Sequence, residues 1–278
     1  MLLRKKISIL ALLLVLLLLL AGCNALSHIN GRMASDHLSL PAVGSKGLRV
    51  HILDVGQGDA ALLQFPEGEA LLVDAGKNVD GPEVINYLEK QGIKRIDYVV
   101  GTHPHEDHIG GLDLVIRKFQ VGQIYLPRKA ANTRSYEDLL REIEKQGLRV
   151  KEARAGTVIY ERPNLKAVFV APGGSKYEDL NNWSAVVYVC YGNTAVLLAG
   201  DAEKQSEQEM LAAGVNLKAD LLKVGHHGSR DSTSLSFLSA VSPGYAVISV
   251  GKDNEYGHPH EETLLSLSVE THFDFRPP

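Results

Sequence analysis

Apolar and polar positions alternate along the chain with two different periods. Residues 48–53, 60–65 and 70–73 are short runs rich in apolar and branched side chains, a composition typical of β-strands. Pro66-Glu67-Gly68 separates the second run from the third, which predicts a hairpin. From residue 82 onward, helix-like segments take turns with strand-like segments, and this alternation predicts an α/β fold.

The predicted elements form two alternating halves around a strand-rich middle. In the first half we predict helices at 82–91, 109–119 and 134–146, and strands at 96–100, 123–126 and 148–150. The middle contains predicted strands at 158–160, 165–170, 185–191 and 194–199. The second half contains predicted helices at 203–213, 235–240 and 261–268, and strands at 219–224 and 245–250. Hairpins followed by β-α units, twice over, indicate two mixed sheets packed face to face with helices outside.

The first residues have the composition of a targeting segment. Arg4, Lys5 and Lys6 precede an apolar run at 9–21 that is shorter than a membrane-spanning helix requires. Small residues then precede Cys23, which resembles the bacterial lipobox, in which that cysteine becomes the lipidated N-terminus. A plain secretory signal or an uncleaved anchor is the alternative.

These features predict three parts of the chain. Residues 1–22 are a lipoprotein signal peptide, and 23–47, rich in Ser, Gly, Asn and Ala, are a flexible tether. Residues 48–278 form the folded domain. We therefore expect an extracytoplasmic protein, anchored to a bacterial membrane through Cys23 or secreted.

Charge and cysteine content narrow the choice of function. The chain has 29 basic and 33 acidic residues, and loss of residues 1–22 removes three of the basic ones, which leaves 26 against 33 and a net charge of −7. Such a protein lacks the diffuse basic surface of non-specific nucleic-acid binders. Cys190 is the only other cysteine, so we expect no intrachain disulfide once Cys23 is acylated, and Cys190 is predicted to be a core residue.

One segment, Thr102-His103-Pro104-His105-Glu106-Asp107-His108, carries the strongest chemical signal. It follows a predicted buried strand, and Pro104 forbids a helix through the cluster, so the ligands are expected to project from a tight loop. Imidazole and carboxylate groups suit zinc, manganese or iron, and no thiolate is present here to select a structural zinc site. A surface loop that is rich in histidine by chance is the alternative, which matching ligands elsewhere in the chain disfavour.

Further polar groups follow strands in the second half. Asp201 comes after the strand at 194–199, His226 and His227 after the strand at 219–224, and Tyr256-Gly257-His258-Pro259-His260 after the last strand. An aspartate after a glycine is, on its own, more often a turn or a helix cap. All of these groups lie at strand C-termini, however, where a layered α/β fold gathers its site.

These motifs resemble those of a known family. His103-Pro104-His105-Glu106-Asp107-His108 matches the H-x-H-x-D-H signature of the metallo-β-lactamase superfamily, whose fold is a four-layer αββα sandwich. Over residues 48–265 the chain is similar to the soluble hydrolase domain of the ComEC competence proteins and their stand-alone relatives. The matching segments are Asp54-Val55-Gly56-Gln57-Gly58-Asp59-Ala60, Asp74-Ala75-Gly76, Leu198-Ala199-Gly200-Asp201, Lys223-Val224-Gly225-His226-His227-Gly228-Ser229 and Tyr256-Gly257-His258-Pro259.

The resemblance implies two divalent metal ions, zinc or manganese. His103 and His105 would bind one ion, Asp107 and His108 the other, and Asp201 would bridge them. The last ligand would come from His226 or His227, a choice that the sequence leaves open. Asp74 would be a buried orienting residue that hydrogen-bonds the backbone of the metal loop.

The chain departs from the family pattern in its middle and at its end. Most members have a further histidine between Asp107 and Asp201, and no histidine occurs here from 109 to 225. Asn181-Asn182-Trp183-Ser184 stands there instead, so Asn182 or Ser184 is a candidate oxygen ligand or substrate contact, with strand capping by Asn182 as the alternative. Residues 269–278 also differ, because family members usually continue into another strand.

Hydrolysis is the implied reaction, by a metal-activated hydroxide that Asp107 and Asp201 orient. His258 and Lys223 are candidates for stabilising negative charge or protonating the leaving group, and Ser229 is a candidate substrate contact. As alternatives, Lys223 only extends from a strand toward solvent and His258 is an ordinary loop residue.

The substrate implied by the resemblance is a phosphodiester, either nucleic acid near the cell envelope or a cell-wall phosphodiester. A carbonyl hydrolase, such as a lactonase or β-lactamase, is the alternative enzyme, weakened by the missing middle histidine. A non-catalytic binding protein for DNA uptake is the alternative outside enzymology, and the intact ligands argue against it. The sequence makes no prediction of oligomeric state.

Overall fold

The structure, a computed structural model, describes residues 47–270, with side chains to residue 268. The predicted signal peptide, Cys23 and nearly all of the tether lie outside the described residues, as do residues 271–278. Within the described part of the chain, no helix combines the length and the apolar character needed to cross a membrane.

The first sheet is formed by the N-terminal half. Its six strands lie side by side in chain order. They are β1 (Arg49–Ile52), β2 (Ala61–Gln64), β3 (Ala70–Val73), β4 (Arg95–Val100), β5 (Gln120–Leu126) and β6 (Val150–Glu152). β1, β2 and β3 pair antiparallel, including the predicted hairpin, whereas β3 to β6 pair parallel. The first sheet is therefore mixed, as predicted from the hairpin strands followed by alternating helices and strands.

The second sheet is formed by the C-terminal half. Its strands are β7 (Val158–Arg162), β8 (Leu165–Phe169), β9 (Val187–Tyr191), β10 (Thr194–Leu198), β11 (Leu221–Lys223) and β12 (Tyr245–Val247). The order runs from β12 to β7, with β10, β11 and β12 parallel and the other pairs antiparallel.

The helices cover the outer faces of the two sheets. They are α1 (Gly81–Lys90), α2 (Glu106–Ile109), α3 (Leu112–Lys118), α4 (Arg134–Lys145), α5 (Lys204–Ala212), α6 (Leu235–Val241) and α7 (Glu261–Glu270). Alternation along each strand assigns side chains to layers. On β3, Leu72 packs under the first set of helices, while Leu71 and Val73 pack between the sheets against residues such as Phe169. Leu197 and Leu222 pack outward against α5 and α6. The αββα sandwich is thus confirmed.

The start of the helix after β4 differs from the prediction. A helical turn, α2, begins directly after His105, so Asp107 and His108 lie on helix and not on an extended loop. Pro104 excludes helix only at its own position and the residue before it, and the acidic Glu106 and Asp107 are favourable in a first helical turn. The strand predicted at 245–250 is shorter than expected and ends at Val247.

Candidate metal centre

The candidate ligands follow parallel strands, whose carboxyl ends meet at one edge of the sandwich. Asp74 follows β3 and the histidine segment follows β4, and these two strands are parallel neighbours. Asp201 follows β10, the His226-His227 pair follows β11, and the segment with His258 follows β12. The two sheets therefore bring side chains from distant parts of the sequence to a common site.

Four side chains converge around Asp201. His108 Nε2 lies 3.2 Å from Asp201 Oδ1, and His103 Nε2 lies 3.8 Å from Asp201 Oδ2. His227 Nε2 lies 3.6 Å from Asp201 Oδ2 and 3.3 Å from Asp107 Oδ2. Two overlapping groups, His103-His108-Asp201 and Asp107-His108-His227, each hold their donor atoms within 4.8 Å of one another, close enough to hold a metal ion.

The donor atoms of this cluster fit divalent cations. Within the described residues, His108 Nε2, His227 Nε2 and Asp201 Oδ1 are buried and form no hydrogen bond of normal geometry. The other nitrogen of each ring is occupied, because His227 Nδ1 donates to Ser249 O at 2.9 Å and His108 Nδ1 lies 2.9 Å from Asp74 Oδ2. These partners leave the Nε2 lone pairs directed at the cluster, as in metal-binding histidines.

The electrostatics of the cluster also favour a bound cation. Burial by itself lowers the pKa of His108, but the carboxylates of Asp201 and Asp74 outweigh it and raise that pKa well above the ordinary value. Burial raises the pKa of Asp201, and His108 and His227 more than offset this, so its pKa lies well below the ordinary value. The carboxylates therefore favour a positive charge at this place, which a proton on His108 supplies in the metal-free protein and which a metal ion on Nε2 would supply in its stead.

Asp74 supports the metal loop from behind. Asp74 is fully buried, and its backbone has the left-handed conformation, with φ of 59°. Its Oδ1 accepts from Thr102 N at 2.8 Å, and its Oδ2 accepts from Thr102 Oγ1 at 2.7 Å. Together with its contact to His108 Nδ1, these bonds fix both the loop backbone and the orientation of one imidazole. The sequence predicts the bond to the loop backbone, and the structure has it.

The two histidines of the 226–227 pair face different partners. His227 is buried in the cluster with Asp107, His108 and Asp201. His226 is partly exposed and lies with Nδ1 3.2 Å from Glu203 Oε1 and Nε2 3.9 Å from Asp201 Oδ2. Both residues have left-handed backbone, with φ of 47° and 51°, a strained arrangement that is characteristic of functional sites. The geometry therefore favours His227 as the ligand.

His105 lies beside His103, as the motif predicts. Its Nδ1 is 2.9 Å from His103 Nε2, and it is half-buried at the wall of a pocket. His103 is fully buried, and burial holds its pKa well below the ordinary value, so it is a neutral imidazole suited to metal binding.

Several predicted substrate contacts lie behind the ligands and not at the pocket wall. Ser184 Oγ accepts from Asp201 N at 3.1 Å and lies 3.3 Å from His103 Nδ1. Asn182 donates from Nδ2 to Glu203 Oε2 and accepts from Ser206 N. Both side chains are buried, which places them as supports of the ligand loops.

Lys223 and Ser229 are also turned inward. Lys223 is 3% exposed, and its Nζ lies 2.9 Å from Asp59 Oδ1 and donates to Val224 O at 2.8 Å. Ser229 is buried, and its Oγ accepts from Asp231 N. The apolar interior between the sheets encloses the lysine stem, and Asp59 neutralises its charge there.

A cavity of about 280 Å³ opens onto the cluster. Its lining residues are Gln57, His105, Glu106, Asp107, Asp201, His226, His227, Tyr256 and His258. Burial, with His226 nearby, lowers the pKa of His258 to about 4, so at neutral pH this predicted catalytic residue is an uncharged imidazole at the pocket wall. Its Nδ1 is buried without a hydrogen-bond partner in the described part of the chain.

Sequence reasoning missed three supporting residues. Asp59 lies 3.6 Å from His227 Nδ1 and pairs with Lys223, Glu203 contacts His226, and Tyr256 lines the cavity. Asp59 and Tyr256 belong to motifs that the sequence singles out, which is a usable signal. Glu203 begins a predicted helix, and nothing in its local pattern distinguishes it from an ordinary first-turn acid.

Known proteins are similar to this chain over most of its length. The model of the metallo-beta-lactamase superfamily matches residues 53–252. ComE operon protein 3 of Bacillus subtilis is 32% identical over 244 residues, covering 82% of this chain and 31% of that protein. Recombination protein 2 of Haemophilus influenzae is 32% identical over 227 residues, covering 79% of this chain and 26% of that protein. The chain thus spans about a third or less of the length of these relatives.

A solved structure is similar in fold. The metallo-beta-lactamase fold protein YhfI from Bacillus subtilis matches with a TM-score of 0.50 and 14% identity, covering 81% of this chain and 94% of that one. Similarity at this identity concerns the arrangement of strands and helices alone.

Proposed function

The chain belongs to the metallo-beta-lactamase superfamily, and from that premise we propose that it is a metal-dependent phosphodiesterase of the ComEC type, acting at the cell envelope. One observation carries the proposal. His108 Nε2, His227 Nε2 and Asp201 Oδ1 are buried close together without hydrogen-bond partners of normal geometry among the described residues, and a bound cation would supply the partner that each of them lacks.

Two divalent ions would be held by a set of residues centred on Asp201. The set consists of His103, His105, Asp107, His108, Asp201 and His227. When bound, such ions lower the pKa of water and stabilise negative charge on an attacked phosphoryl oxygen. Asp107, at the cavity wall, would orient a water molecule by accepting a hydrogen bond from it. His258, uncharged and at the same wall, would donate a hydrogen bond to a substrate oxygen.

The phosphodiester substrate is supported by the relatives. Recombination protein 2 of Haemophilus influenzae and a further relative, competence protein ComA of Neisseria gonorrhoeae, are named for recombination and competence, which are processes that act on DNA. The net charge of −7 of the predicted mature chain disfavours a long nucleic-acid footprint, so metals and local groups would provide the attraction for a short segment of strand. Lipidation at Cys23 and the 23–47 tether would hold the domain near the membrane.

The proposal is tested by hydrolysis assays on the full-length protein with Mn²⁺ or Zn²⁺. The substrates are bis-p-nitrophenyl phosphate, single-stranded DNA and nitrocefin, each assayed beside Asp107→Ala. We expect metal-dependent cleavage of the two phosphodiesters, with a loss of at least about a hundred-fold in the variant because Asp107 both binds metal and orients water.

Two results would contradict the proposal. Turnover of nitrocefin without phosphodiester cleavage would assign the site to carbonyl hydrolysis. Absence of metal binding by the purified protein, measured by elemental analysis and by titration with Zn²⁺, together with no activity, would favour a binding protein.

A further inference from the structure

Tyr256 is an exposed aromatic residue at the mouth of the cavity. It lines the same cavity as Asp107, Asp201 and His227, yet 59% of its surface is accessible. The described large apolar and aromatic residues are mostly buried in three layers, so an exposed tyrosine next to the candidate metal centre stands apart from them.

The loop that carries Tyr256 is held in place by Asn254. Asn254 Oδ1 accepts from Tyr256 N at 3.2 Å and from His258 N at 3.0 Å, while its Nδ2 donates to Gly251 O at 3.0 Å and to His258 O at 2.7 Å. Gln57 Oε1 accepts from Gly251 N at 3.0 Å, which ties this loop to the turn after β1. The backbone that carries the ring is therefore ordered before any substrate arrives.

One face of the ring is already covered. The Tyr256 ring stacks on His258 with centroids 5.7 Å apart and an angle of 26° between planes. More than half of the residue is accessible, so the ring leaves aromatic surface on which a further flat group can stack. The cavity, about 280 Å³, is at the lower end of the size of small-molecule sites, so groups flanking a bound phosphate must extend to this rim.

We propose that Tyr256 is the specificity-determining residue of the site, which stacks on a nucleobase next to the scissile phosphodiester. This inference rests on the proposed function and chooses nucleic acid over other phosphodiesters. A quaternary ammonium group would also be attracted by an aromatic face, but it is recognised by a cage of several rings. Tyr256 offers a single exposed ring, inclined by 26° to the neighbouring imidazole of His258, and a single ring suits stacking on a flat base.

The test compares two substrates that differ only in their bases. The full-length protein with Mn²⁺ is given a single-stranded oligothymidylate and an oligonucleotide of equal length with abasic tetrahydrofuran sites. We expect the wild-type ratio of kcat/KM for the two to favour the base-bearing strand by about ten- to a hundred-fold, because base-aromatic stacking has that strength. Tyr256→Ala should bring the ratio close to one, and Tyr256→Trp should keep it.

Tyr245→Ala is the matched control. Tyr245 is 54% exposed and begins β12, at the end of the strand opposite the one that leads to the cavity. This variant should keep the wild-type ratio. Thermal unfolding of each variant shows that the fold is intact, and Tyr256→Trp reports on the aromatic face independently of the alanine variant.

The possible outcomes distinguish failure of the stacking role of Tyr256 from failure of the proposed phosphodiesterase activity. If the wild type cleaves both strands and Tyr256→Ala leaves the ratio unchanged, the stacking role is overturned while the phosphodiesterase stands. If Tyr256→Ala instead lowers turnover of p-nitrophenylphosphorylcholine with the ratio unchanged, the face recognises a cation and the inference is wrong. If the wild type cleaves no phosphodiester, the proposed function fails and the inference fails with it.

Discussion

At the scale of single residues, the site depends on which nitrogen each imidazole leaves unpartnered. His227 donates from Nδ1 to Ser249 O, so its Nε2 lone pair points at Asp107 and Asp201. His226, its neighbour, turns toward Glu203 at the partly exposed side of the site. Adjacent residues of the same type therefore have different chemical environments, set by backbone torsion and by distant hydrogen-bond partners.

This difference predicts different effects of two substitutions on metal affinity. His227→Ala removes a ligand from the buried cluster. Loss of a residue that only supports a ligand lowers metal affinity by up to about 100-fold, so this variant should lose more than that in its affinity for the more tightly bound Zn²⁺ ion. His226→Ala should weaken it less. Isothermal titration with Zn²⁺ on metal-free protein measures both. Equal losses would contradict the assignment to His227, and a larger loss in His226→Ala would show that His226 is the ligand.

At the scale of elements, the turn between β1 and β2 positions the helical turn that carries the ligands. Asp59 N donates to Asp107 O at 3.0 Å, which joins the turn to α2. Gly58 makes this approach feasible, because a Cβ at that position would lie 2.5 Å from Asp107 O. The Gly-Gln-Gly-Asp segment is therefore a backbone support for the metal loop.

Gly58→Ala is expected to displace α2 and so to impair the metal site. Overpacking of this kind typically costs about 1–3 kcal/mol in the free energy of unfolding. Urea denaturation measures the stability, and Zn²⁺ titration measures the site. Gly244→Ala is the matched control, since the nearest atom to its added Cβ is 3.7 Å away. A Gly58 variant with wild-type stability and Zn²⁺ affinity would contradict this role.

A second element-scale contact joins α5 to the loop that precedes Trp183. The hydroxyl of Tyr177 donates to Glu209 on α5 and accepts from Gly174 N at 2.7 Å. Burial, together with the Glu209 carboxylate, raises the pKa of Tyr177 to about 12. The folded protein therefore keeps this phenol neutral at pH values where the unfolded chain ionises it.

The sign of the pH effect follows from that shift. Below the unfolded pKa of 10.0 both states hold the proton and the full contribution to stability is present. Between pH 10 and about 12 only the unfolded state releases it, so the free energy of unfolding should fall as pH rises. Urea denaturation across this range should give a shallower decline for Tyr177→Phe than for the wild type. An identical decline in both proteins would contradict the assignment.

At the scale of the whole molecule, a buried ion pair links the two halves. Asp59 lies in the turn of the first sheet and Lys223 ends β11 in the second. They are 7% and 3% exposed, and their charged atoms are 2.9 Å apart. A lone buried charge at such a position is costly. The pair therefore favours the arrangement of the two sheets in which Asp59 meets Lys223, and the same arrangement brings His227 to Asp107.

Removing one partner of the ion pair should lower the free energy of unfolding much more than removing both. Lys223→Met leaves Asp59 buried and unpaired, and we expect a loss of about 3–5 kcal/mol in the free energy of unfolding. The double variant with Asp59→Asn should recover most of it. Lys204→Met, which breaks a solvent-exposed contact of 3.9 Å with Asp231, is the control and should change stability by less than about 1 kcal/mol. Chemical denaturation measures the free energy of unfolding of each variant. A Lys223→Met variant as stable as Lys204→Met would contradict the stabilising role of the buried pair.

The sequence predicted well wherever the signal was local. The hairpin at Pro66-Glu67-Gly68, the two sheets and the fold family are confirmed. Strands and helices are predicted from the spacing of apolar residues over a few neighbouring positions, so these features depend on local sequence. The start of α2 was wrong by several residues, since the dominant Pro104 signal hid a helical start two residues later. The sequence makes Lys223 a candidate for the substrate pocket, and only the position of Asp59, which belongs to the first sheet, shows why Lys223 lies inside.

The sequence by itself determined the layered α/β architecture, the family and the set of histidines and aspartates from which a metal centre can be built. The tertiary structure decided which of His226 and His227 is buried with Asp107 and His108, that Ser184 and Asn182 lie behind the ligands, and that Tyr256 stands at the cavity mouth. The physical reason is that a strand or helix follows from contacts a few residues apart. The role of a side chain depends on partners that only the packing of two sheets brings within hydrogen-bond distance.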